Sequence, residues 1–84
     1  MDKTTLFDIK EIQSALIEST LEEVYEALLE RGYNPINQIV GYLISGDPGY
    51  ISNHKGAREK MSSLERGKVL EILLKEYMHK QWNV

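Results

Sequence analysis

Residues 32–51 read GYNPINQIVGYLISGDPGYI and place a helix between two tight turns. Asn34 can cap a helix whose first position is Pro35, because the φ of proline is already helical and its missing N–H is not needed there. Apolar residues follow at the spacing of a helix with one buried face: Ile36, Ile39, Val40, Leu43 and Ile44. Ser45-Gly46 ends this helix, and Asp47-Pro48 starts a short second one. The segment is predicted to form helix, corner and helix.

Another apolar stripe precedes this segment: Leu21, Val24, Tyr25, Leu28 and Leu29. Ser19 and Thr20 are each followed three residues later by a glutamate, which makes two overlapping capping boxes and predicts a fresh helix start. Arg31-Gly32 ends that helix. Whether residues 9–18 form a separate helix stays open at this point.

Two further helices are predicted after the corner. Ser52 or Asn53 can cap one that ends or bends at Gly67, with apolar residues facing the core and basic residues facing water: Ala57, Met61 and Leu64 inward, and Lys55, Arg58, Lys60 and Arg66 outward. The last helix runs from Lys68 to about Lys80, and its apolar arc is wider than one small core requires: Val69, Leu70, Ile72, Leu73, Leu74, Tyr77 and Met78.

The chain has no alternating strand pattern, so the predicted fold class is all-α, a compact bundle of about five short helices. Residues 1–8 show no periodicity and are predicted to form a flexible amino-terminal arm, followed by a single helical domain over residues 9–84. Gly41, inside the second helix, costs about 1 kcal/mol relative to Ala. We therefore expect another helix, or a partner, to approach Gly41 closely.

Size and composition favour self-association. A chain of 84 residues buries only about 60% of its unfolded surface. Because the chain has no Cys, neither disulfides nor thiolate metal sites can add stability to the fold. We predict a homodimer whose contacts, or those of another partner, come from the second and last helices: Ile36, Ile39, Tyr42, Leu43, Leu73, Tyr77 and Met78. No apolar run approaches the roughly 20 residues of a membrane span, so we expect a cytoplasmic protein without membrane insertion.

Charge is distributed unevenly along the chain, whose net charge is −3. Residues 1–31 hold eight acidic and three basic residues, a balance of −5, whereas residues 54–68 hold five basic and two acidic residues, a balance of +3. His54 and His79 are not spaced with a carboxylate and a nucleophile, and no glycine-rich phosphate loop or metal-ligand cluster occurs. The sequence predicts no enzyme, no catalytic residues, no metal site and no cofactor.

Residues 32–51, followed by His54-Lys55-Gly56-Ala57-Arg58 and Leu64-Glu65-Arg66, resemble the IreB family of small regulatory phosphoproteins of Gram-positive bacteria. The resemblance covers roughly residues 20–80. It implies an all-helical homodimer without enzymatic activity that acts in cell-envelope stress control. The implied partners are a transmembrane Ser/Thr protein kinase that senses cell-wall fragments, its cognate phosphatase and an unknown downstream protein.

The resemblance also implies phosphorylation of an amino-terminal threonine that lies a few residues before a phenylalanine. Thr4 precedes Phe7 in this way, so Thr4 is the first candidate and Thr5 the second. A phosphothreonine adds about −1.5 to −2 charge and can bond a cluster of basic side chains. The candidate docking residues are Lys55, Arg58 and Lys60. The alternative is that these three form an ordinary solvated helix face.

DNA binding is the alternative function. Helix, corner and basic helix follow one another as in helix-turn-helix proteins, and a dimer can place two copies in successive major grooves. The net charge of −3 argues against it, because affinity for DNA rises with the number of phosphates that the protein neutralises. We do not expect nucleic acid to be a partner.

Overall fold

The chain folds into α-helices joined by short turns. The computed structural model describes the backbone of residues 3–82 and the side chains of residues 9–82. Within that range lie four α-helices and two 3-10 turns: α1 (Lys3–Glu30), α2 (Pro35–Ser45), the first 3-10 turn (Pro48–Tyr50), the second 3-10 turn (His54–Gly56), α3 (Ala57–Ser62) and α4 (Arg66–Trp82). These residues form no strand, so the all-α prediction is confirmed. The predicted arm, residues 1–8, lies outside the described side chains.

The first helix is longer than predicted. α1 runs continuously for 28 residues, so the helix start predicted at Ser19 and Thr20 is wrong. Instead of capping, Ser19 donates from its Oγ to the carbonyl of Leu16, 3.1 Å away in the preceding turn. Serine in mid-helix commonly bonds back in this way. Because neither Gly nor Pro interrupts residues 3–30, and because Ile17 is buried in the core, the helix continues through both capping boxes.

The start and end of α2 are as predicted. The Asn34 side chain accepts from the amide of Asn37 at 3.1 Å, and Pro35 takes the first helical position. Gly46 ends the helix with a left-handed φ of 76°, and its amide donates to the carbonyl of Tyr42. In the corner that follows, the Asp47 carboxylate accepts from the amide of Gly49 at 2.9 Å. The predicted succession of helix, corner and short helix is confirmed.

The helix after the corner starts later than predicted. Neither Ser52 nor Asn53 caps α3, which begins at Ala57. Lys55 and Gly56 have φ values of 53° and 72°, so the backbone is left-handed just before α3. That conformation is ordinary for Gly and uncommon for Lys, which is why the sequence pattern did not indicate the break.

The end of this helix was also predicted incorrectly. α3 stops at Ser62, and α4 begins at Arg66, so Gly67 lies in the first turn of the last helix. The amide of Ser63 bonds back to α3, and Leu64 packs half-buried against the core between the two helices. The break therefore falls at Ser63 to Glu65.

α1 is the element against which the others pack, since α2, α3, α4 and the second 3-10 turn all contact it. The core consists of ten buried apolar residues drawn from all four helices and from the loop between the 3-10 turns: Ile17, Val24, Ala27, Leu28, Ile39, Tyr42, Ile51, Ala57, Met61 and Val69. Among the described side chains no polar residue is buried, so apolar contact dominates this interior.

Polar side chains fasten the irregular segment between α2 and α3. Gln38 of α2 donates to the Ser52 hydroxyl at 3.0 Å and accepts from the Ser52 amide at 2.8 Å. Arg58 donates from Nε to the carbonyl of Ile51 at 2.8 Å. Arg66 donates from Nη1 to the carbonyl of Leu43 at 3.1 Å, near the end of α2. The two arginines that we predicted to face water therefore bond backbone carbonyls.

Gly41 meets a close neighbour, as predicted, but the neighbour is an aromatic ring and not a crossing helix. A β-carbon at Gly41 would lie 2.5 Å from Cδ1 of Tyr50, in the first 3-10 turn. Real β-carbons do not come so close, and the glycine allows the Tyr50 ring to approach the backbone of α2.

This contact predicts a coupling between the two positions. Gly41→Ala should raise the free energy of unfolding by about 1 kcal/mol in a Tyr50→Ala background, where helix propensity alone acts. In the wild-type background the same change should give no gain, because the ring must leave its place. Urea denaturation of the four proteins measures the coupling, expected at about 1 kcal/mol or more. Equal effects of Gly41→Ala in both backgrounds would contradict the contact.

Candidate protein-binding face

An apolar groove lies between α1, α2 and α4. We call it the apolar groove; its volume is about 330 Å³. It is lined by seven apolar residues and two glutamates: Leu21, Glu22, Tyr25 and Glu26 of α1, Ile36, Ile39, Val40 and Leu43 of α2, and Leu73 of α4. A concave apolar surface with a few polar groups at fixed positions is the usual form of a binding site.

The groove follows from helix periodicity. Leu21 and Tyr25 are one turn apart on α1, and Ile36 and Val40 are one turn apart on α2, so each helix presents a short apolar row. At the bottom of the groove, α2 contributes Ile39, which is buried in the core. The outer side is Ile36, which is 58% exposed. The groove therefore continues the core outward to solvent.

The predicted contact residues fall into two sets. Ile36, Ile39, Leu43 and Leu73 all line the apolar groove. The other three do not: Tyr42 is buried in the core, Tyr77 is exposed on α4, and Met78 is half-buried there. Sequence reasoning missed Leu21, Tyr25 and Val40 as lining residues. Their apolar spacing was visible, but spacing alone does not separate a core position from a groove position.

Beside the groove, α4 carries a row of exposed apolar side chains at the i, i+3, i+4, i+7 spacing of one helix face. We call it the α4 stripe: Leu70, Leu73, Leu74 and Tyr77. Their exposed fractions range from 44% for Leu73 to 61% for Leu74. Scattered exposed apolar residues are ordinary, whereas a contiguous patch of this kind marks an interaction site.

The basic residues proposed for phosphate docking form a second site, on another side of α1. Lys55 pairs with Glu30 at 2.7 Å, and Lys60 pairs with Glu23 at 3.3 Å. Arg58 lies between them in sequence and is occupied by the Ile51 carbonyl. Both lysines are exposed, as are both glutamates. Carboxylates of α1 thus already neutralise much of the positive charge that a phosphate would meet.

His54 extends this network. Its Nε2 lies 3.6 Å from Oε1 of Glu30 and is shielded from solvent without a hydrogen-bond partner among the described residues. The Glu30 carboxylate therefore faces both Lys55 and His54. Its pKa is lowered below the ordinary glutamate value, chiefly by the hydrogen bond from Lys55 and to a smaller extent by His54. A favourable ion pair causes this shift because it stabilises the ionised carboxylate.

The described residues show no arrangement suited to catalysis or metal binding. Over residues 9–82 no three His, Asp or Glu side chains come together as a metal-binding group. Neither histidine adjoins both a nucleophile and a carboxylate in the contacts described above. In the described chain no helix is long and apolar enough to cross a membrane. Thr4 and Thr5 fall within the bounds of α1, but their side chains lie outside the described ones.

The Glu30 ion pair predicts a dependence of stability on pH. A lowered carboxyl pKa stabilises the folded state above the ordinary glutamate value of about 4.3, and this contribution disappears as the pH falls through the lowered pKa. Lys55→Gln should therefore make the free energy of unfolding fall less steeply between about pH 5 and pH 3. Urea denaturation at a series of pH values measures the slope. In a Glu30→Gln background Lys55→Gln should not change it; an unchanged slope in the Glu30 background would contradict the pair.

Comparison with protein-family models matches residues 2–79 with the IreB regulatory phosphoprotein family. The match covers more than nine tenths of the 84 residues and begins well before residue 20, where the resemblance in the sequence became clear. The described residues of the chain are all-helical, as the resemblance implies. The chain belongs to the IreB family of regulatory phosphoproteins.

Proposed function

We propose that this protein is a non-enzymatic regulator that acts in the cytoplasm by binding other proteins, in control of the cell-envelope stress response. The observation that carries the proposal is the apolar groove with the α4 stripe beside it. A large apolar surface costs free energy in water and is retained where a partner covers it. Family membership supports the regulatory role and its link to phosphorylation.

The protein acts as a homodimer in this proposal. The predicted contacts on α2 and α4 support it, since Ile36, Leu73 and Tyr77 are large, apolar and exposed. Obligate dimer interfaces resemble a protein core cut in half, and exposed Leu, Ile and Tyr are what such an interface needs. Tyr42 contributes indirectly, by supporting α2 from the core.

Phosphorylation of the amino-terminal segment is the proposed signal, with Thr4 as the first acceptor and Thr5 as the second. A transmembrane Ser/Thr kinase adds the phosphate and a cognate phosphatase removes it. The phosphate docks at Lys55, Arg58 and Lys60, of the same chain or of the second copy. Support comes from exposure, because the Lys55 and Lys60 ammonium groups remain accessible and their present partners are surface carboxylates. Such pairs contribute about 0–1 kcal/mol and exchange readily.

The geometry does not favour DNA binding. α3, which takes the place of a recognition helix, has six residues, little more than one and a half turns. Two of the nearby cations, Lys55 and Lys60, are paired with glutamates of α1. Bound DNA would face those acidic residues directly, and each unneutralised phosphate lowers affinity.

Phosphopeptide mass spectrometry in cells tests the acceptor site. We expect phosphate on Thr4, or on Thr5, and its loss in the Thr4→Ala/Thr5→Ala variant. Thr20→Ala is the matched control, because Thr20 is a half-buried threonine outside the amino-terminal segment and should not be modified. Persistent phosphate in the double variant would show that the acceptor lies elsewhere. A pull-down with unmodified and phosphorylated protein then identifies the partner whose binding changes.

Nuclear magnetic resonance tests the docking site. Phosphorylation should shift the amide resonances of residues 55–60, because charge-assisted bonds to phosphate replace bonds to Glu30 and Glu23. Lys55→Gln/Lys60→Gln should abolish these shifts. Lys75→Gln removes a lysine of α4 that pairs with Glu71, and it should leave them unchanged. If the unmodified and phosphorylated proteins give the same resonances over residues 55–60, the docking proposal is wrong.

A further inference from the structure

The proposed phosphate acceptor and the proposed docking residues belong to opposite ends of α1. The helix runs continuously from Lys3 to Glu30, so Thr4 lies in its first turn and Glu30, the partner of Lys55, lies in its last. A helix rises about 1.5 Å per residue, which separates positions 4 and 30 by about 39 Å along the axis. The longest dimension of the described chain is 44 Å. Acceptor and docking residue are therefore nearly the length of the molecule apart.

The docking lysines border a small cavity between α1 and the segment that leads into α3. We call it the docking pocket; its volume is about 190 Å³. It is lined by two lysines, three glutamates and one alanine: Glu23, Glu26, Ala27 and Glu30 of α1, with Lys55 and Lys60. The Lys55 and Lys60 side chains are 58% and 43% exposed, so a group from outside the chain can reach them. Even Glu23, the partner of Lys60, lies about 28 Å along the helix from position 4.

Docking within one chain requires α1 to unwind from its amino-terminal end. An extended chain spans about 3.4 Å per residue, whereas a helix spans about 1.5 Å. For the released segment to fold back far enough, about two turns must unwind to bring Thr4 to Lys60, and about three turns to bring it to Lys55. The sequence offers no break for such a hinge, since residues 3–30 contain neither Gly nor Pro.

The phosphate itself favours the intact helix. Thr4 and Thr5 lie in the first turn of α1, where free backbone N–H groups and the helix dipole attract negative charge. A phosphothreonine carries about −1.5 to −2 charge, and it stabilises a helix when it lies near the amino-terminal end. Phosphorylation therefore opposes the unwinding that docking within the same chain would need.

A second copy removes this conflict between helix and docking. A two-fold axis at right angles to α1 reverses the helix in the second copy, so the first turn of one α1 lies toward the end of the other that holds the docking pocket. Glu26 lines both the apolar groove and the docking pocket, so the two lie next to each other. A second copy that covers the groove therefore lies beside the docking pocket. Docking between copies needs no unwinding, and it forms twice in each dimer.

We propose that phosphate on Thr4 or Thr5 of one copy docks at Lys55 and Lys60 of the second copy, and not in its own chain. This inference rests on the proposed function, from which it takes the homodimer and the docking residues, and it assigns the docking to the second copy. The phosphate site is then complete only in the dimer, because each copy supplies what the other lacks.

Nuclear magnetic resonance of mixed dimers tests the assignment. The donor chain is unlabelled, carries phosphothreonine at position 4 and has Lys55→Gln/Lys60→Gln, so it cannot hold its own phosphate. The acceptor chain is isotopically labelled and has Thr4→Ala/Thr5→Ala. Mixing should shift the amide resonances of residues 55–60 of the acceptor, because only the phosphate of the donor can reach its lysines. A donor without phosphate is the matched control and should leave these resonances unchanged.

Sedimentation equilibrium provides a second measurement. A bond that exists only between two copies stabilises the dimer, whereas a bond within one chain does not. Phosphothreonine at position 4 should therefore lower the dissociation constant of the dimer at least about fivefold. Lys55→Gln/Lys60→Gln should remove this gain. Lys75→Gln, which changes a lysine that pairs with Glu71 of α4, should preserve it.

The outcomes distinguish this inference from the proposed function. Shifts in the acceptor chain, together with the tighter dimer, support docking between copies. Native mass spectrometry establishes that mixed dimers are present. If they are present and the acceptor resonances stay unchanged, while a chain with both its own phosphate and its own lysines shows the shifts, the inference is wrong and the homodimer and docking residues stand. No shift in either sample would overturn the docking proposal and this inference with it. A chain that stays monomeric at millimolar concentration would overturn the homodimer and this inference with it.

Discussion

Burial of one face of α1 holds this small fold together. Val24 and Leu28, one turn apart, are fully buried, and every other helix packs against α1. Full burial of such a side chain contributes roughly 1.5–3 kcal/mol, whereas the net stability of a domain is about 5–15 kcal/mol. The fold therefore depends on a few fully buried side chains, to which α3 adds Met61 and α4 adds Val69. The other sides of α1 line the apolar groove and pair with Lys55 and Lys60.

The segment between α2 and α3 places Ile51 in the core and Tyr50 against Gly41, and hydrogen bonds fasten the rest of it. The Gln38 side chain donates one hydrogen bond to Ser52 and accepts another from it. Arg58 and Arg66 donate to the carbonyls of Ile51 and Leu43. Carbonyls near helix ends and in loops have no backbone N–H partner within a helix. The long side chain of an arginine can donate to them from a neighbouring element. These bonds join α2, α3 and α4 to one another without passing through α1.

The sequence predicted helix ends correctly where they depend only on neighbouring residues. The cap at Asn34 and the stop at Gly46 depend on residues nearby in sequence, and both are found as expected. The start predicted at Ser19 was wrong, because apolar packing carried α1 through it. The break predicted at Gly67 was wrong because α3 already ends at Ser62 and α4 begins at Arg66, whereas the left-handed Lys55 and Gly56 only delay the start of α3. For the site, periodicity identified the apolar residues. It could not say which of them meet one another, since that depends on how three helices cross.

Two surfaces of α1 lie next to each other, one that carries charged residues and one that lines the apolar groove. Glu23 and Glu30 bind Lys60 and Lys55 on one side, while Leu21 and Tyr25 line the apolar groove on another. A phosphate that docks at the lysines must displace carboxylates, so its net gain is the difference between charge-assisted phosphate bonds and exposed ion pairs. In the docking that we propose, that difference is small, so the bound phosphate would exchange readily. Docking would leave Glu23 and Glu30 without their lysine partners and would make α1 more negative. A more negative α1 would favour a positively charged partner over an acidic one at the apolar groove, through charge and without any movement of the core.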